Sequence, residues 1–508
     1  MICVTIACGT HHRMIDEYRA LAADGIKFVE LRLDMLRREP QLERLLKNRS
    51  TQVLITARRP QDGGSWREPE EKRILLLRNA IAQSVEFVDL EHDIAKQIPR
   101  YGKTRRIVSF HNMEKMPEDL DSLYNEMCEC DPDAVKIAAM PENIGDVFRM
   151  AEFVRRRNSG GGTTGSSGRR IPVIGVCMGE MGILTRILAR KFGSPFTFAT
   201  FSESRIVAPG MLYYKHLRTM YRFDHTDAKT EVYGVIGDPI AHSLSPLIHN
   251  MSYIDAKLNC VYLPLKIPPG ELHEFVRRAH ELGIRGLSVT IPHKVEVLKC
   301  LTRTDPAVEE IGACNTIVVD GNERYGYNTD YVAAMLSIEM AFGGQMVKGE
   351  SPIKHKRALV LGAGGAGKAL IYGLMQRGAQ VTVTDIDNAR ATELADMCQC
   401  FQVDWEMRHG TPCDVLANCT PIGMHPKVNA TPFDRTALKP DMVVFDAVYN
   451  PENTLLIKDA REKGCIPVTG VEMFVGQACL QYKLFTGQRA SASLMRKYLK
   501  NAISAVKE

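Results

Sequence analysis

The sequence predicts an α/β protein: a (β/α)8 barrel followed by a two-lobed α/β unit. Three observations carry that reading. Eight short β-branched runs, each followed by a helix-length stretch, fill about the first 225 residues. A second series of strands and helices starts near residue 230. In the middle of that series a glycine-rich turn joins an apolar strand to a helix. At 508 residues the chain has room for roughly three domains of about 150 residues.

The eight runs are Ile2–Ala7, Phe28–Asp34, Gln52–Arg58, Phe87–Glu91, Arg106–His111, Ala134–Ala139, Pro172–Met178 and Pro195–Phe201. Strands alternating with helices imply parallel βαβ units, and eight of them close a TIM barrel. The Gly/Ser-rich stretch 158–168 precedes the seventh strand, so it is expected as a tolerated surface insertion on the bottom face. A linker near His225–Lys229 ends the barrel, placed at 1–225. The strand Val232–Gly237 opens one lobe, 230–340 with the C-terminal helices 471–508, and 341–470 forms the other.

Composition excludes several classes. Lys+Arg is 65 and Asp+Glu 60, a net charge of +5, too mild to predict nucleic acid or an anionic membrane as partner. Hydrophobic residues at 45% are an ordinary globular share, which excludes a disordered or fibrous chain. No apolar run reaches the ~18 residues of a membrane span. Met1–Ala7 enters a strand pattern with no basic segment before it, so no secretory leader is expected. The 14 Cys are irregularly spaced in a long chain and read as reduced thiols of a cytoplasmic protein. The pairs Cys128/Cys130 and Cys398/Cys400 lack further ligands, so no metal is expected.

Candidate chemistry in the first half sits at strand ends. Residues two apart share a strand face, so Glu30, Arg32 and Asp34 point one way. They either line an active site or form an ion-pair network that closes the barrel. His111 ends the fifth run, and Lys136 lies among β-branched neighbours in the sixth. Burial disfavours an ammonium, and a neutral amine condenses with a ketone. A histidine on the adjacent strand can exchange a proton at the carbon next to the iminium. The pair predicts Schiff-base chemistry.

In the second half Gly362, Gly364 and Gly367 form G-x-G-x-x-G, with Gly365 and Ala366 between them. A strand (357–361) precedes, a helix follows, and Asp385 ends the next strand, near the offset of about 20 residues expected of a Rossmann nucleotide-binding lobe. Elsewhere Ser243, Ser245, Thr290, Lys294, Asn315 and Asp330 lie in predicted turns. Such sets bind polyols or serve as plain turn residues.

The first 215 residues resemble type I 3-dehydroquinate dehydratase in Glu30–Asp34, Thr56–Arg58 with Asp62-Gly63-Gly64, Ser109–His111, Lys136–Pro141, Met178-Gly179, Thr185-Arg186 and Ala208–Gly210. The resemblance implies that Lys136 forms the iminium with 3-dehydroquinate. It implies that His111 moves the neighbouring proton and helps water leave, and that Glu30 and Asp62 position His111 and substrate. Arg32, Arg58 and Arg186 would bind ring hydroxyls and the carboxylate. Asp62 is one carbon shorter than the glutamate usual there. Val207 and Met211 stand where the family carries a hydroxyl and an amide.

Residues 232–500 resemble shikimate dehydrogenase, in Asp238–Pro246, Leu287–Lys294, Gly312–Thr316, Gly326–Asp330, Asn418–Met424, Asp446–Pro451 and Gly470–Gln477. This implies that Ser243 and Ser245 bind the substrate carboxylate near Tyr449, and that Thr290, Asn315, Asp330 and Gln477 hold ring hydroxyls. Lys294, beside Asp330, would donate the proton as hydride arrives, with the nicotinamide near Thr420, Gly470 and Met473. Asp385-Ile386-Asp387 stands where NADP-using members carry Asn-Arg-Thr. A carboxylate accepts from both ribose hydroxyls but repels a 2′-phosphate, which predicts NAD over NADP; Arg390 is the residue able to reach a phosphate.

Together these imply a bifunctional shikimate-pathway enzyme acting on small molecules only. Two rivals stand beside it: an oxidative NAD-linked quinate/shikimate dehydrogenase, and a ligand sensor that keeps its pockets without turnover. The sequence leaves the oligomeric state open.

Overall fold

The computed structural model describes every residue except 48, 166, 167, 169, 345–349 and 506–508, and the side chains of 504 and 505. Its chain forms two compact units, Met1–Val232 with Asn259–Gly283, and Tyr233–Leu258 with Ile284–Glu508. Segment 259–283 thus groups with the first unit, whereas the sequence places it wholly in the second half.

The first unit holds β1 (Ile2–Ile6), β2 (Phe28–Arg32), β3 (Gln52–Thr56), β4 (Phe87–Glu91), β5 (Arg105–Asn112), β6 (Ala134–Ala139), β7 (Val173–Cys177) and β8 (Thr197–Thr200). They pair in the order β7-β6-β5-β4-β3-β2-β1-β8, all parallel. All eight lie within a residue or two of the predicted runs. Where a strand ladder would join β7 to β8, loop bonds do so at both ends. Ser194 donates to the Val173 carbonyl at 3.1 Å below, and the Gly179 N–H to the Pro209 carbonyl at 3.2 Å above.

The barrel interior is layered. Phe28, Leu54, Phe87, Ile107, Phe196 and Phe198 belong to one buried apolar cluster, with the Phe28 and Phe87 rings 4.8 Å apart. Two residues further along their strands the inward positions turn polar: Thr5, Glu30, Thr56, Asp89 and Ser109 are all buried. The apolar layer keeps solvent from below, so charges above it meet one another in a low-dielectric setting.

The stretch before β7 is pinned at that strand's start. The Asn158 side chain donates to the Val173 carbonyl at 3.0 Å and accepts its N–H at 2.8 Å. Ser166 and Ser167 of the Gly/Ser-rich reading lie outside the described residues.

The remaining strands are β9 (Glu231–Gly237), β10 (Cys260–Lys266), β11 (Ile284–Val289), β12 (Arg303–Thr304), β13 (Thr316–Asp320), β14 (Glu323–Tyr327), β15 (Arg357–Leu361), β16 (Gln380–Thr384), β17 (Phe401–Gln402), β18 (Val415–Asn418), β19 (Val443–Asp446) and β20 (Ile466–Val468). In the second unit β9, β11, β13, β14 and β12 follow one another in a mixed sheet. The last six strands form a parallel sheet in the order β17-β16-β15-β18-β19-β20. Its order reverses between β15 and β18, so a crevice opens beyond their carboxyl ends, where doubly wound sheets bind ligands. Among the described residues no helix is long and apolar enough to cross a membrane.

Candidate active sites

The barrel's polar layer forms a small cavity lined by Glu30, Arg32, Arg58, Asp62, His111, Lys136 and Arg186. Every dehydratase residue read from the sequence therefore meets at one place. The β5–β6 register explains part of this: Ser109 pairs with Lys136, and His111 lies two residues beyond Ser109 on the same face. The apolar wall carries Val176, Met178, Phe198, Val207 and Met211, so positions 207 and 211 offer the cavity no side-chain hydrogen bond. A larger cavity, 1280 Å³ between residues 33–43 and 65–83, contains neither lysine; chemistry, not size, locates the site.

Lys136 is buried, its Nζ 3.2 Å from Asp89 Oδ2 and 4.1 Å from the centre of the Phe198 ring. Asp89 also meets Arg58 Nη2 at 2.9 Å and accepts the Ser109 hydroxyl at 2.5 Å. Burial pushes the Asp89 carboxyl up, but Arg58 and Lys136 outweigh it and hold the group at about 2. Arg58 Nη1 in turn meets Glu91 at 3.1 Å, Ser109 at 3.0 Å and His111 Nδ1 at 2.9 Å. Burial, then the Arg58 charge, then that of Lys136, push the His111 imidazole well below its ordinary value, so the ring is neutral. An arginine can only donate; Nδ1 is therefore the acceptor and Nε2 carries the proton.

Two expected contacts are replaced. Asp62 accepts from Arg59 Nε at 2.7 Å, and Arg59 extends to Asp93 at 2.8 Å. The adjacent arginine captures the short carboxylate, and Arg58, not Asp62, orients His111. Glu30 accepts from Thr5 at 2.6 Å and Thr56 at 2.7 Å, which fixes it in the wall instead of against His111. Arg32 and Asp34 form a bidentate pair at 2.9 and 2.8 Å, so the ion pairing is present on this strand, whose Glu30 and Arg32 also line the cavity. Asp89, Glu91 and Ser109 were missed as site residues, although Asp89 and Glu91 alternate on β4 just as Glu30 and Arg32 do on β2.

Arg186 stands apart. It is buried, donates to the Pro209 carbonyl at 3.2 Å, and its Nε has no partner. Burial pulls its guanidinium down to about 10. A buried cation without a carboxylate is costly alone and suits an anionic ligand.

In the second unit Lys294 Nζ lies 2.6 Å from Asp330 Oδ2, both largely buried. Asn328 caps the helix Thr329–Ala341 by accepting from the N–H groups of Asp330 and Tyr331, which sets Asp330 in the first turn. Asn315 accepts the Thr329 N–H at 2.7 Å and donates to the Thr329 hydroxyl at 2.9 Å. Ser245 starts the helix Ser245–Asp255, its N–H 3.4 Å from the Ser243 hydroxyl. Thr290 donates its N–H to Ile236 at 3.0 Å. The Tyr449 ring packs 4.5 Å from Phe474, and burial raises its phenol above the ordinary value. Gln477 donates to the Phe474 carbonyl at 3.0 Å on the helix Gly470–Thr486, which also carries Met473.

The glycine-rich turn fits a dinucleotide. Gly362 has φ 105°, and a Cβ on Gly367 would lie 2.0 Å from the Gly362 carbonyl oxygen. A Cβ on Gly364 would meet nothing nearer than Arg390 Nη2 at 3.8 Å, so space is open before the helix Gly365–Gln376, which has no side-chain cap. Its free N–H groups suit a pyrophosphate. Asp385 accepts the Ala363 N–H at 2.7 Å, which brings the acidic residue against the turn. Thr420 donates its hydroxyl to Asn418 at 2.7 Å beyond β18, across the reversal point. Gly365 would place a Cβ 4.0 Å from Lys294 Cδ; the second lysine thus reaches the nucleotide turn.

Comparison with known proteins agrees with this layout. Residues 2–228 match the model of type I 3-dehydroquinase, 235–317 that of the shikimate dehydrogenase substrate binding domain, and 470–500 that of the shikimate 5'-dehydrogenase C-terminal domain. The chain is 36% identical to the chloroplastic bifunctional 3-dehydroquinate dehydratase/shikimate dehydrogenase of Arabidopsis thaliana, over 97% of this chain and 83% of that one. It is also 36% identical to the shikimate dehydrogenase (NADP(+)) of Dehalococcoides mccartyi, over 54% of this chain and 96% of the relative. A solved shikimate dehydrogenase in complex with NADP+ superposes with a TM-score of 0.51 at 31% identity, covering 55% of this chain and 97% of that one. A relative matched along nearly the whole length, together with the barrel match, places this chain in the family of bifunctional 3-dehydroquinate dehydratases/shikimate dehydrogenases.

Proposed function

We propose that the barrel, 1–225, dehydrates 3-dehydroquinate to 3-dehydroshikimate through a Schiff base on Lys136, and that the second half reduces the product to shikimate. The substrate lobe would be 230–340 with 471–508, and the nucleotide lobe 341–470. NAD(P)H bound at the glycine-rich turn supplies the hydride.

The observation that carries the reading is the enclosed Lys136 amine, with neutral His111 on the adjacent strand and the Arg186 cation, whose Nε has no partner, in the same cavity. Arg186 would take the substrate carboxylate, and Arg32 the ring hydroxyls. Once the iminium forms, the neighbouring carbon becomes acidic. His111 takes that proton after exchanging its Arg58 bond, then returns it to the departing hydroxyl. In the second half Lys294, paired with Asp330, donates the proton to the carbonyl oxygen. Ser243, Ser245 and Tyr449 would hold the carboxylate, and Thr290, Asn315 and Gln477 the hydroxyls. The nicotinamide would lie near Thr420, Gly470 and Met473.

For the cofactor we propose NAD preference. Asp385, fixed against Ala363, puts a negative charge where a 2′-phosphate would sit. Arg390 beside Gly364 works against it, and two of the three proteins named above are described with NADP. The same carboxylate favours a second reading, oxidation of quinate or shikimate with NAD. We place the enzyme in the cytoplasm on the irregular spacing of its 14 cysteines in a long chain.

Borohydride added with dehydroquinate should reduce the iminium to a stable secondary amine, and peptide mapping should find it on Lys136. An adduct on another residue, or none during turnover, refutes the assignment. Steady-state rates with shikimate and quinate, each with NAD and NADP, decide between the two dehydrogenase readings.

A further inference from the structure

The inference rests on the Schiff-base reading above and concerns Asp89, which that reading does not use. Asp89 is 2% exposed. Its Oδ2 lies 3.2 Å from Lys136 Nζ, and its Oδ1 is fixed by the Ser109 hydroxyl. The Phe198 ring closes on Nζ from another side at 4.1 Å. A carboxylate and an aromatic face both favour a cation at that nitrogen.

The neighbouring arginines do not use up this carboxylate. Arg73 is bonded to Glu70 at 2.6 Å and to Glu91 at 2.6 Å, and Arg58 meets Glu91 at 3.1 Å as well as Asp89. Glu91 and Glu70 balance the two guanidiniums, which leaves Asp89 as the partner of the amine.

Condensation conserves the charge that Asp89 faces. The ammonium carries +1, the attacking amine and the carbinolamine are neutral, and the iminium carries +1 again. Nζ gives its electron pair to the carbonyl carbon, and the C–O bond then breaks with its pair on oxygen. Of the three ammonium hydrogens, one stays on the iminium nitrogen and two leave with the oxygen as water. No outside acid or oxidant is needed.

We propose that Asp89 is the fixed counterion of this sequence, a positioning residue that stays ionised and stabilises Lys136 Nζ as ammonium before condensation and as iminium after it. Hydrolysis of the product iminium runs the same steps in reverse, so one carboxylate serves both ends of the turnover.

The test uses the full chain. Asp89→Asn keeps the shape and removes the charge; dehydratase kcat should fall by about 100-fold, within the range set by an opposite charge at this distance, while KM stays within about threefold. Borohydride trapping at Lys136 should weaken in step with kcat. Asp89→Glu should recover at least about tenfold of the lost kcat. Unchanged kcat and unchanged trapping in Asp89→Asn overturn the proposal. So does a raised KM with kcat retained, which would make Asp89 a binding group. Should Asp89→Asn fail to fold, Asp89→Glu decides: kcat within about tenfold of wild type supports the counterion, and a loss beyond about 100-fold in a folded barrel overturns it. Wild-type trapping at a residue other than Lys136 defeats the Schiff-base assignment itself; trapping at Lys136 with an unaffected Asn variant defeats only the counterion.

Discussion

Replacing Arg186 by Met removes a buried charge while keeping most of the side-chain volume. That guanidinium is 3% exposed, bonded to one carbonyl, and lowered by burial from its ordinary value to about 10. A base whose folded value lies below its unfolded one costs stability at every pH below the folded value, and the cost fades only as pH rises from about 10 toward the ordinary guanidinium value. At pH 7 the shift corresponds to about 3 kcal/mol against folding. Losing the Pro209 hydrogen bond returns about 1 kcal/mol of that. Arg186→Met should therefore stabilise the ligand-free barrel by about 2 kcal/mol, or roughly 4–8 °C for a domain of this size. Activity should move the other way. A forked pair with a carboxylate comprises two charge-assisted bonds of about 1.5–3 kcal/mol each, so kcat/KM for dehydroquinate should fall by roughly 10²–10⁴. Scanning calorimetry with and without dehydroquinate, beside steady-state kinetics, measures both. A variant that melts lower and keeps its kcat/KM would refute the view of Arg186 as an anion receptor held unpaired.

Lys294→Ala should reduce shikimate oxidation by about 10²–10⁴ and leave dehydration unchanged; equal loss of both activities would show that the sites do not act independently. Asp385→Asn should shift the NADP/NAD ratio of kcat/KM by about tenfold or more toward NADP, the effect of removing one charge beside a phosphate, read from initial rates. Asp446 supplies a pH test. Burial raises its carboxyl from 3.8 to about 6, opposed by bonds from Thr454, Val448 and Asn418. The folded state then holds the proton more tightly than the unfolded one, so this group lowers stability as pH rises from about 4 to 6 and keeps it lower above. Asp446→Asn should flatten that slope in denaturant unfolding followed across pH 4–7; an unchanged slope would deny the group its role.

The barrel was legible because each strand is short, apolar and followed by a helix, a pattern that depends on local sequence alone. The Rossmann lobe was legible because Gly362 and Gly367 occupy positions that a Cβ would crowd. What failed was partnership. Asp62 and Arg59 are three residues apart, and the turn Pro60–Asp62 brings them together at 2.7 Å; no periodicity announces that capture. The family resemblance ties Glu30 to His111, but two threonines from β1 and β3 reach it first. Asp89 was legible in principle, since it alternates with Glu91 in a buried strand, yet only the β4–β5–β6 register reveals that it meets Lys136. The grouping of 259–283 with the first unit depends on contacts distant in sequence, which composition and spacing do not encode.

Arg58 binds Asp89, Glu91, Ser109 and His111 with one guanidinium. A lysine there would offer one nitrogen in place of a planar fork and leave several of these groups stranded. The five positions therefore constrain one another's evolution: a change at any of them is tolerated only with a matching change elsewhere in the set. Homologous barrels should carry the quintet whole or have lost it whole, and a lineage that has drifted from it should have abandoned dehydration before it abandoned the barrel.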